Sequence, residues 1–563
     1  MSSPSKLSEP EMYSFLGDQF KAIGQLDAAE KQYLSALEKS LESLGPDNAT
    51  TVDVLTSLGC LYAQQAQWEK AESMYLRALS GSDKCKGEND LSTVLIAADL
   101  ANVYFDQCSW EKAEALHLRV IDGFGTALGP NNERMLQTIN DLSLIYRLQG
   151  RLDEAETTIR KAIEGYETTF GKEDPETLDA LNNLGIIYMA QSKLDEAEAL
   201  FSKVVETYDK LVPAPENTKS ADAMHNLGSL YVDRGRVPEG IDILTRAAKR
   251  FDEVLGDDHP ESLPTLDRLG TATKSVGMYE EAEVFLESAF EAYDETIGLD
   301  NVPAISTAVN LANLYLELGR LDDANYIYAR ALEARDNIPL ESRGADFVAA
   351  NLTLLHNLGT LATEQGQLQE AETLQKQAID GFEKLHGSDH SITLYAVFSL
   401  AALNAKKGEI EVAKSQYQRA LAGFKAAEGE NSEKVFAVIN NLGLLHMEQG
   451  QLEEAEDYFQ QSLAGLKARM ATSIITPPLI TLVQENMGNL CSETGRKDEA
   501  VGWYQESLKN VKRIFGDEHP RCGKIQDKLD GLEQHGDEPR KSIRRTAREL
   551  AERLKITPPA DKQ

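Results

Sequence analysis

One position constrains this chain more than any other. Gly17, Gly59, Ala101, Ser143, Gly185, Gly228, Gly270, Ala312, Gly359, Ala401, Gly443 and Gly488 succeed one another at steps of 42, 42, 42, 42, 43, 42, 42, 47, 42, 42 and 45 residues. Twelve residues after each lies a second small residue: Ala29, Ala71, Ala113, Ala155, Ala197, Gly240, Ala282, Ala324, Ala371, Ala413, Ala455 and Ala500. Nine residues after each the side chain is large and apolar, from Leu26 and Trp68 to Ile410 and Leu452, and Lys497 alone departs. In the fifth copy Leu184, Ile187 and Tyr188 share one helical face, since residues three and four apart lie on one side. Gly185 inside that helix costs about 1 kcal/mol against alanine, and is expected where another backbone approaches closely. Ala197 sets the same condition in a second helix beyond a short polar turn. Each copy therefore reads as a helix-turn-helix hairpin. A hairpin this small cannot bury its own apolar face, so twelve must stack and share one core. The expected fold class is all-α, an α-solenoid.

Two steps break the period. The 47-residue step contains Asp336 to Gly344 and the 45-residue step contains Ile475 to Pro478. Both insertions fall between hairpins, where loop length changes without breaking a unit. The expected organisation is a disordered lead over residues 1–10, the repeat array over 11–520, a capping helix over 521–535 and a basic tail over 536–563.

The motif Leu184-Gly185-x-x-Tyr188 followed by Ala197-Glu198 resembles the tetratricopeptide repeat. The 42-residue period, Asn182-Asn183-Leu184-Gly185, Asn440-Asn441-Leu442-Gly443, and the loops Gly256-Asp257-Asp258-His259-Pro260 and Gly516-Asp517-Glu518-His519-Pro520 resemble kinesin light chain repeats. The resemblance implies a right-handed superhelix with first helices lining a concave, partner-binding face. Kinesin light chains carry a basic groove for acidic, Trp-containing peptides and a long heptad segment that joins the motor. Here the repeats begin near residue 11 with no heptads ahead of them, so a motor subunit is not the expectation.

No catalytic constellation emerges. There is no GxxxxGK[ST] loop and no GxGxxG after a strand. His386 and His390 lie four apart, but they fall in a repeat junction with the same loop pattern as His259 and His519, which favours packing over a metal. Cys60, Cys85, Cys108, Cys491 and Cys522 form no CxxC pair, an odd scatter that suits a reducing compartment. No 18-residue apolar run occurs. The many Glu-x-x-Glu pairs read as solvated helix faces. The expectation is a soluble, cytoplasmic protein that is not an enzyme and has no cofactor and no metal.

The first helices carry the candidate binding residues. Two before the small residue stand Asn183, Asn226, Asn310, Asn357, Asn441 and Asn486; one earlier stand Asn182, His225, His356 and Asn440. An amide donates and accepts, so a ladder of amides pairs with the backbone of an extended peptide, as the resemblance implies. The same amides can instead tie each hairpin to the next. Around them the inner positions hold thirteen acids, Glu11, Asp18, Asp53, Asp106, Asp179, Asp222, Asp233, Asp267, Glu317, Glu364, Glu448, Glu485 and Glu493. Four cations oppose them, Lys21, Arg147, Lys274 and Lys406, while the whole chain has 92 acids to 57 bases. Such a face suits a neutral-to-basic segment of another protein and disfavours nucleic acid.

From Arg540 to Gln563 eight Lys/Arg face three Asp/Glu, a net +5 against −35 for the whole. Ile543, Ala547, Leu550, Ala551 and Leu554 fall on one helical face. Three readings follow for 540–556: a solvated end, a ligand for the chain's own acidic surface, or a membrane or calmodulin target. The expected function is a protein-interaction scaffold or adaptor. The alternatives are a self-associating structural protein and, by family analogy, a motor cargo adaptor.

Overall fold

The computed structural model describes residues 7–211, 217–256, 259–338, 344–472 and 477–534. The expectations for most of the lead and for the tail lie outside these residues. Among them the chain forms 25 helices and no strand. They divide between two compact units, Met1–Leu255 and Gly256–Gln563.

The first unit holds six hairpins: α1 (Glu9–Ala22) with α2 (Leu26–Ser43), α3 (Ala49–Gln64) with α4 (Trp68–Cys85), and α5 (Leu91–Asp106) with α6 (Trp110–Leu128). Then come α7 (Glu133–Leu148) with α8 (Leu152–Thr169), α9 (Pro175–Ala190) with α10 (Leu194–Lys210), and α11 (Lys219–Asp233) with α12 (Val237–Leu255). The second unit continues with α13 (Leu263–Ser275) and α14 (Tyr279–Thr296), α15 (Val302–Glu317) and α16 (Leu321–Asn337), and α17 (Ala345–Glu364) and α18 (Leu368–His386). It closes with α19 (Ser391–Lys406) and α20 (Ile410–Glu428), α21 (Glu433–Glu448) and α22 (Leu452–Thr472), α23 (Leu479–Glu493) and α24 (Lys497–Phe515), and then α25 (Pro520–Gln534). In each unit the first helices of successive hairpins approach one another more closely than the second helices do, which puts the first helices on the inside of the curve.

Caps set the boundaries. Asn48, Asp90, Asn132, Asp174 and Asn301 each accept a backbone N–H in the first turn of the following helix, satisfying donors that have no partner within the helix. The loop histidines do the same work. Nδ1 of His259, His390 and His519 accepts the N–H of the residue two ahead, at 3.3 Å in each case. His390 stacks on His386 at 4.6 Å, and among the described residues no cluster of three or more His, Cys, Asp or Glu has the arrangement to hold a metal ion.

The recurring small residue has a different partner from the one expected. A Cβ on Gly185 would lie 2.5 Å from the Phe201 ring, and one on Gly17, Gly443 or Gly488 would meet Tyr33, Phe459 or Tyr504 in the same way. In these copies the close neighbour is an aromatic side chain sixteen residues on, not backbone; behind Gly228, Gly270 and Gly359 the same place is held by Leu244, Leu286 and Gln375. Backbones come together most closely in the sixth copy, where a Cβ on Gly240 would lie 2.8 Å from the Gly228 carbonyl, and in the seventh a Cβ on Gly270 would lie 3.3 Å from the Ala282 carbonyl. Ala197 is fully buried. A second small position escaped the period analysis: Gly81, Gly123, Gly165, Gly381, Gly423 and Gly465 each receive an apolar side chain from the start of their own first helix, such as Leu136 on Gly165.

Within each unit, hairpins fasten to the next through a recurring carboxylate. Tyr62 donates to Glu30 at 2.8 Å and Tyr104 to Glu72 at 3.0 Å. Lys112 pairs with Glu72, Arg151 with Glu114, Lys193 with Glu156, Arg236 with Glu198, Arg320 with Glu283 and Arg496 with Glu456. Arg151, Arg236 and Arg320 also lie over the Tyr146, Tyr231 and Tyr315 rings, at 4.3, 4.0 and 4.3 Å. These glutamates follow the small alanine of the second helix. Reading every Glu-x-x-Glu as solvated surface is corrected here: Glu72, Glu114, Glu156 and Glu198 keep only 19–25% of their side chains exposed, because the next hairpin covers them.

The second unit closes on itself. The Nε2–H of His519 donates to the Glu317 carbonyl at 3.0 Å, across 202 residues. Phe515 stacks on Tyr279 with centroids 5.0 Å apart, Ile514 joins the core cluster of Tyr279, Tyr315 and Tyr328, and Pro520 fills the space beside Gly319. The loop between α24 and α25 therefore docks on the hairpin turns of α13–α14 and α15–α16. Beyond it, α25 lays Cys522, Ile525 and Leu529 against Ala500, Tyr504 and Val511.

Candidate interaction surface

The asparagines line the inner helices, and their amides are half committed. Asn183 Nδ2 donates to Asn140 Oδ1 at 3.0 Å, Asn226 to Asn182 at 3.0 Å, Asn310 to Asp267 at 3.0 Å and Asn486 to Asn440 at 2.9 Å. Every one of these bonds runs from one hairpin to the preceding one. In this geometry the donor half of the amide is a tie between repeats. The Oδ1 atoms of Asn183, Asn226, Asn310 and Asn486 accept nothing among the described residues, and their side chains are half-buried. Asn441 is spent on both sides, donating to the Tyr417 hydroxyl and accepting from Asn440. Asn357 is half-buried on α17.

Three of the expected surface residues lie inside. Asn182, Asn440 and His356 are 5, 2 and 6% exposed. Asn182 and Asn440 are the acceptors of the ties, and His356 Nδ1 lies 3.0 Å from Gln375 Oε1 in its own hairpin. His225 is half-buried on α11.

Three of the four inner cations are also engaged, while Nε of the half-buried Arg147 finds no hydrogen-bond partner among the described residues. Lys274 pairs with Glu317 and Lys406 with Glu364, both at 2.8 Å, and Lys21 donates to Cys60 Sγ. Of the acids, Asp18 accepts from the Tyr33 hydroxyl at 2.6 Å and Glu485 holds Arg521 and Lys528. In the first unit burial leaves a row of carboxylates short of counter-charge. It pushes Asp99 up to about 6 and Asp106 above its usual range. Asp141 is also at about 6, where burial and the nearby Asp179 outweigh a hydrogen bond from Asn140. Asp179 is raised by burial against the pull of Lys219. Asp99 and Asp141 occupy the asparagine position in the third and fourth copies. That substitution was the available signal, and a count of charges at the flanking positions passed over it.

A second inner feature carries aromatic rings. Tyr395 on α19 is 46% exposed. It lies edge-on to His356 at 5.5 Å and stacks on Phe398 at 6.0 Å, and Phe398 adjoins Tyr417 at 5.6 Å. Its hydroxyl is nevertheless pushed above the ordinary tyrosine range by burial, with the Glu317 charge adding to the effect.

Comparison with known proteins agrees with this architecture. The tetratricopeptide repeat model matches residues 8–84, 92–168, 134–210, 219–295 and 269–337, and the MalT-like TPR region matches 340–514. Among solved structures, BtubC (BKLC) from P. vanneervenii is 19% identical over 42% of this chain and 94% of its own, with a TM-score of 0.35. Nearly identical TPR-like repeats named for a kinesin light chain of Podosopora anserina are 22% identical over 36% and 94%, with a TM-score of 0.32. A tetratricopeptide repeat protein from Parabacteroides merdae is 18% identical over 55% and 98%, with a TM-score of 0.40. No curated protein matches. With six hairpins in each unit, built on recurring small residues, and a family model matching more than half of its length, the chain belongs to the tetratricopeptide repeat family.

Proposed function

We propose that this protein is a non-enzymatic interaction scaffold whose inner face holds a neutral-to-basic segment of another protein, in the cytoplasm. One observation carries the reading: the asparagine donors of Asn183, Asn226, Asn310 and Asn486 are taken by ties between repeats while their acceptors remain. The free Oδ1 atoms of Asn183 and Asn226 and the carboxylates of Asp99, Asp141 and Asp179 all ask for N–H groups or cations. An extended segment supplies both, from its backbone and its Lys or Arg side chains. Asn310, Asn357 and Asn486 continue the row in the second unit, whereas the buried Asn182, Asn440 and His356 support the row from beneath. Among the described residues no helix is long and apolar enough to cross a membrane.

The test is capture from native lysate by the full chain and by Asp99→Asn/Asp141→Asn/Asp179→Asn. We expect a partner that the parent retains and the variant loses, with capture weakening as salt rises. Equal capture by both would move binding off the inner face of the first unit.

Self-association is the second reading. Leu34, Leu76 and Leu118 occupy one position in three consecutive second helices and are 44, 45 and 49% exposed. Sedimentation of the parent beside Leu76→Lys decides it: a concentration-independent monomer in both removes this reading.

A further inference from the structure

We propose that the cleft between the second helices α14 and α16 is a pocket for an arginine of a partner protein, whose guanidinium lies on the Tyr326 ring and pairs with the carboxylates of Glu287 and Glu291. The site is separate from the inner face and does not depend on it.

Spacing builds the cleft. Glu287, Glu291 and Asp294 stand four and three residues apart on α14, and Asp323, Tyr326, Ile327 and Arg330 follow at steps of three, one and three on α16. Each set falls on one helical face. The two faces line one cleft of about 330 Å³, near the lower end of the range for ligand sites. Buried Phe290, Leu311 and Ile327 form its apolar floor. The Tyr315 hydroxyl, on α15, donates to Glu287 and fixes that carboxylate at the cleft wall.

Most of the rim belongs to the stack. Arg330 pairs with Asp294 at 2.8 Å, and the same tie recurs as Arg119 with Asp83, Arg246 with Asp209 and Arg419 with Glu383. Asp323 pairs with Arg320 as Glu154 does with Arg151 and Glu239 with Arg236. Tyr326 has no such counterpart. At its place, fourteen residues after the small one, the other copies run from Lys31 and Ser73 to Asp457 and Gly502, and none is aromatic. Stacking of hairpins therefore does not call for a ring there. The ring is 59% exposed, and Arg330 Nη1 donates to its hydroxyl at 3.3 Å, which holds it at the cleft.

Charge names the occupant. Asp294 and Asp323 are neutralised by Arg330 and Arg320, whereas Glu287 and Glu291 have no cation among the described residues. An exposed phenol ring and two uncompensated carboxylates over an apolar floor are complementary to a guanidinium. Its plane stacks on an aromatic face, its edge donates to carboxylates, and it is only weakly hydrated. An ammonium would meet the charge but not the plane. The cleft already holds one guanidinium in this manner: Arg330, bonded to Asp294, lies 5.9 Å from the centre of the Phe290 ring.

The experiment uses the full chain labelled with carbon-13 at the isoleucine δ1-methyl groups, the Ile327 signal being assigned by its loss in Ile327→Val. It is titrated with acetyl-Gly-Arg-Gly-amide and with the citrulline counterpart, which keeps the shape of arginine without its charge. The Ile327 signal should move to saturation with the arginine peptide and stay in place with the citrulline one. Tyr326→Thr, which installs the residue found in the fourth and ninth copies, should weaken the arginine peptide by about threefold to fivefold, as should Glu291→Gln. Unchanged thermal melting of both variants shows that the fold is intact. An unmoved Ile327 signal, equal shifts with the two peptides, or an affinity indifferent to both substitutions overturns the proposal. So does an Ile327 signal displaced by Arg544→Gln/Arg545→Gln/Arg548→Gln before any peptide is added, which would give the cleft to the chain's own end.

Discussion

At the turn inside each hairpin one residue takes a left-handed conformation. In nine copies it is glycine, from Gly24 with φ 76° to Gly495 with φ 78°; in three it is Ala66, Cys108 or Ser192, with φ 54, 54 and 60°. A side chain there crowds the following carbonyl, at a cost of about 1 kcal/mol. Ala66→Gly, Cys108→Gly and Ser192→Gly should therefore each stabilise the first unit by about 0.5–1 kcal/mol, although glycine loosens the unfolded chain. Gly150→Ala should lose about as much. Urea unfolding of the four variants checks the sign, and a destabilised Cys108→Gly would refute the strain argument. Gly185 obeys a different rule. Its helical backbone tolerates a side chain, but the Phe201 ring 2.5 Å from a built Cβ does not, so Gly185→Leu should cost about 3 kcal/mol or more by overpacking.

Between elements, the hairpin-to-hairpin fastening divides into two kinds of carboxylate with opposite pH behaviour. For Glu156, burial works against the charge, yet hydrogen bonds from Lys193, Arg160 and Gln191 win and hold it at about 2. Glu372, bonded by Lys376 and Lys407, is also at about 2. A depressed folded value contributes stability above the unfolded value near 4.5, and that contribution fades as pH falls towards 2. Asp99 and Asp141, at about 6, run the other way. Their raised values favour the folded state below 3.8, and the advantage is lost as pH rises through 6. From these groups the first unit should thus be most stable at about pH 4, weaken as pH rises through 6, and change little beyond about pH 7. Asp99→Asn/Asp141→Asn should flatten that decline and stabilise at pH 7.5 by about 1–2 kcal/mol, discounted for the partial exposure of both groups. Chemical denaturation from pH 4 to 8 tests it; an unchanged slope would mean that both carboxylates are solvated. The period was legible because every hairpin solves one packing problem with the same few residues. The role of Glu156 was not, since its partner Lys193 lies in the next hairpin and nothing local separates this glutamate from solvent-facing ones. The asparagines were legible as a ladder but not in direction: only the geometry assigns the donor of Asn183 to Asn140 and leaves its acceptor open.

At the scale of the second unit, stacking alone does not account for the contacts. In a solenoid each repeat touches its neighbours, and stability is close to a sum of local terms. His519 on Glu317 and Phe515 on Tyr279 break that pattern by joining residues more than 200 apart. No periodic feature of the chain announces this closure, because it depends on small rotations accumulated over six hairpins. The consequence for cooperativity is testable. Phe515→Ala should remove a ring stack worth about 1 kcal/mol beyond its buried area, and Tyr279→Ala should remove the same stack from the other side. A double-mutant cycle should return a coupling of about 1 kcal/mol. Hydrogen exchange gives the spatial signature. In either single variant, α15, α16 and α25 should lose protection together, although α17 to α23 lie between them in the chain, while α1 to α12 keep theirs. Additive mutations, or loss of protection confined to the mutated helix, would mean that the two ends merely touch. Coupled loss would mean that the last hairpin holds the first ones of the unit in place through one contact between Tyr279 and Phe515.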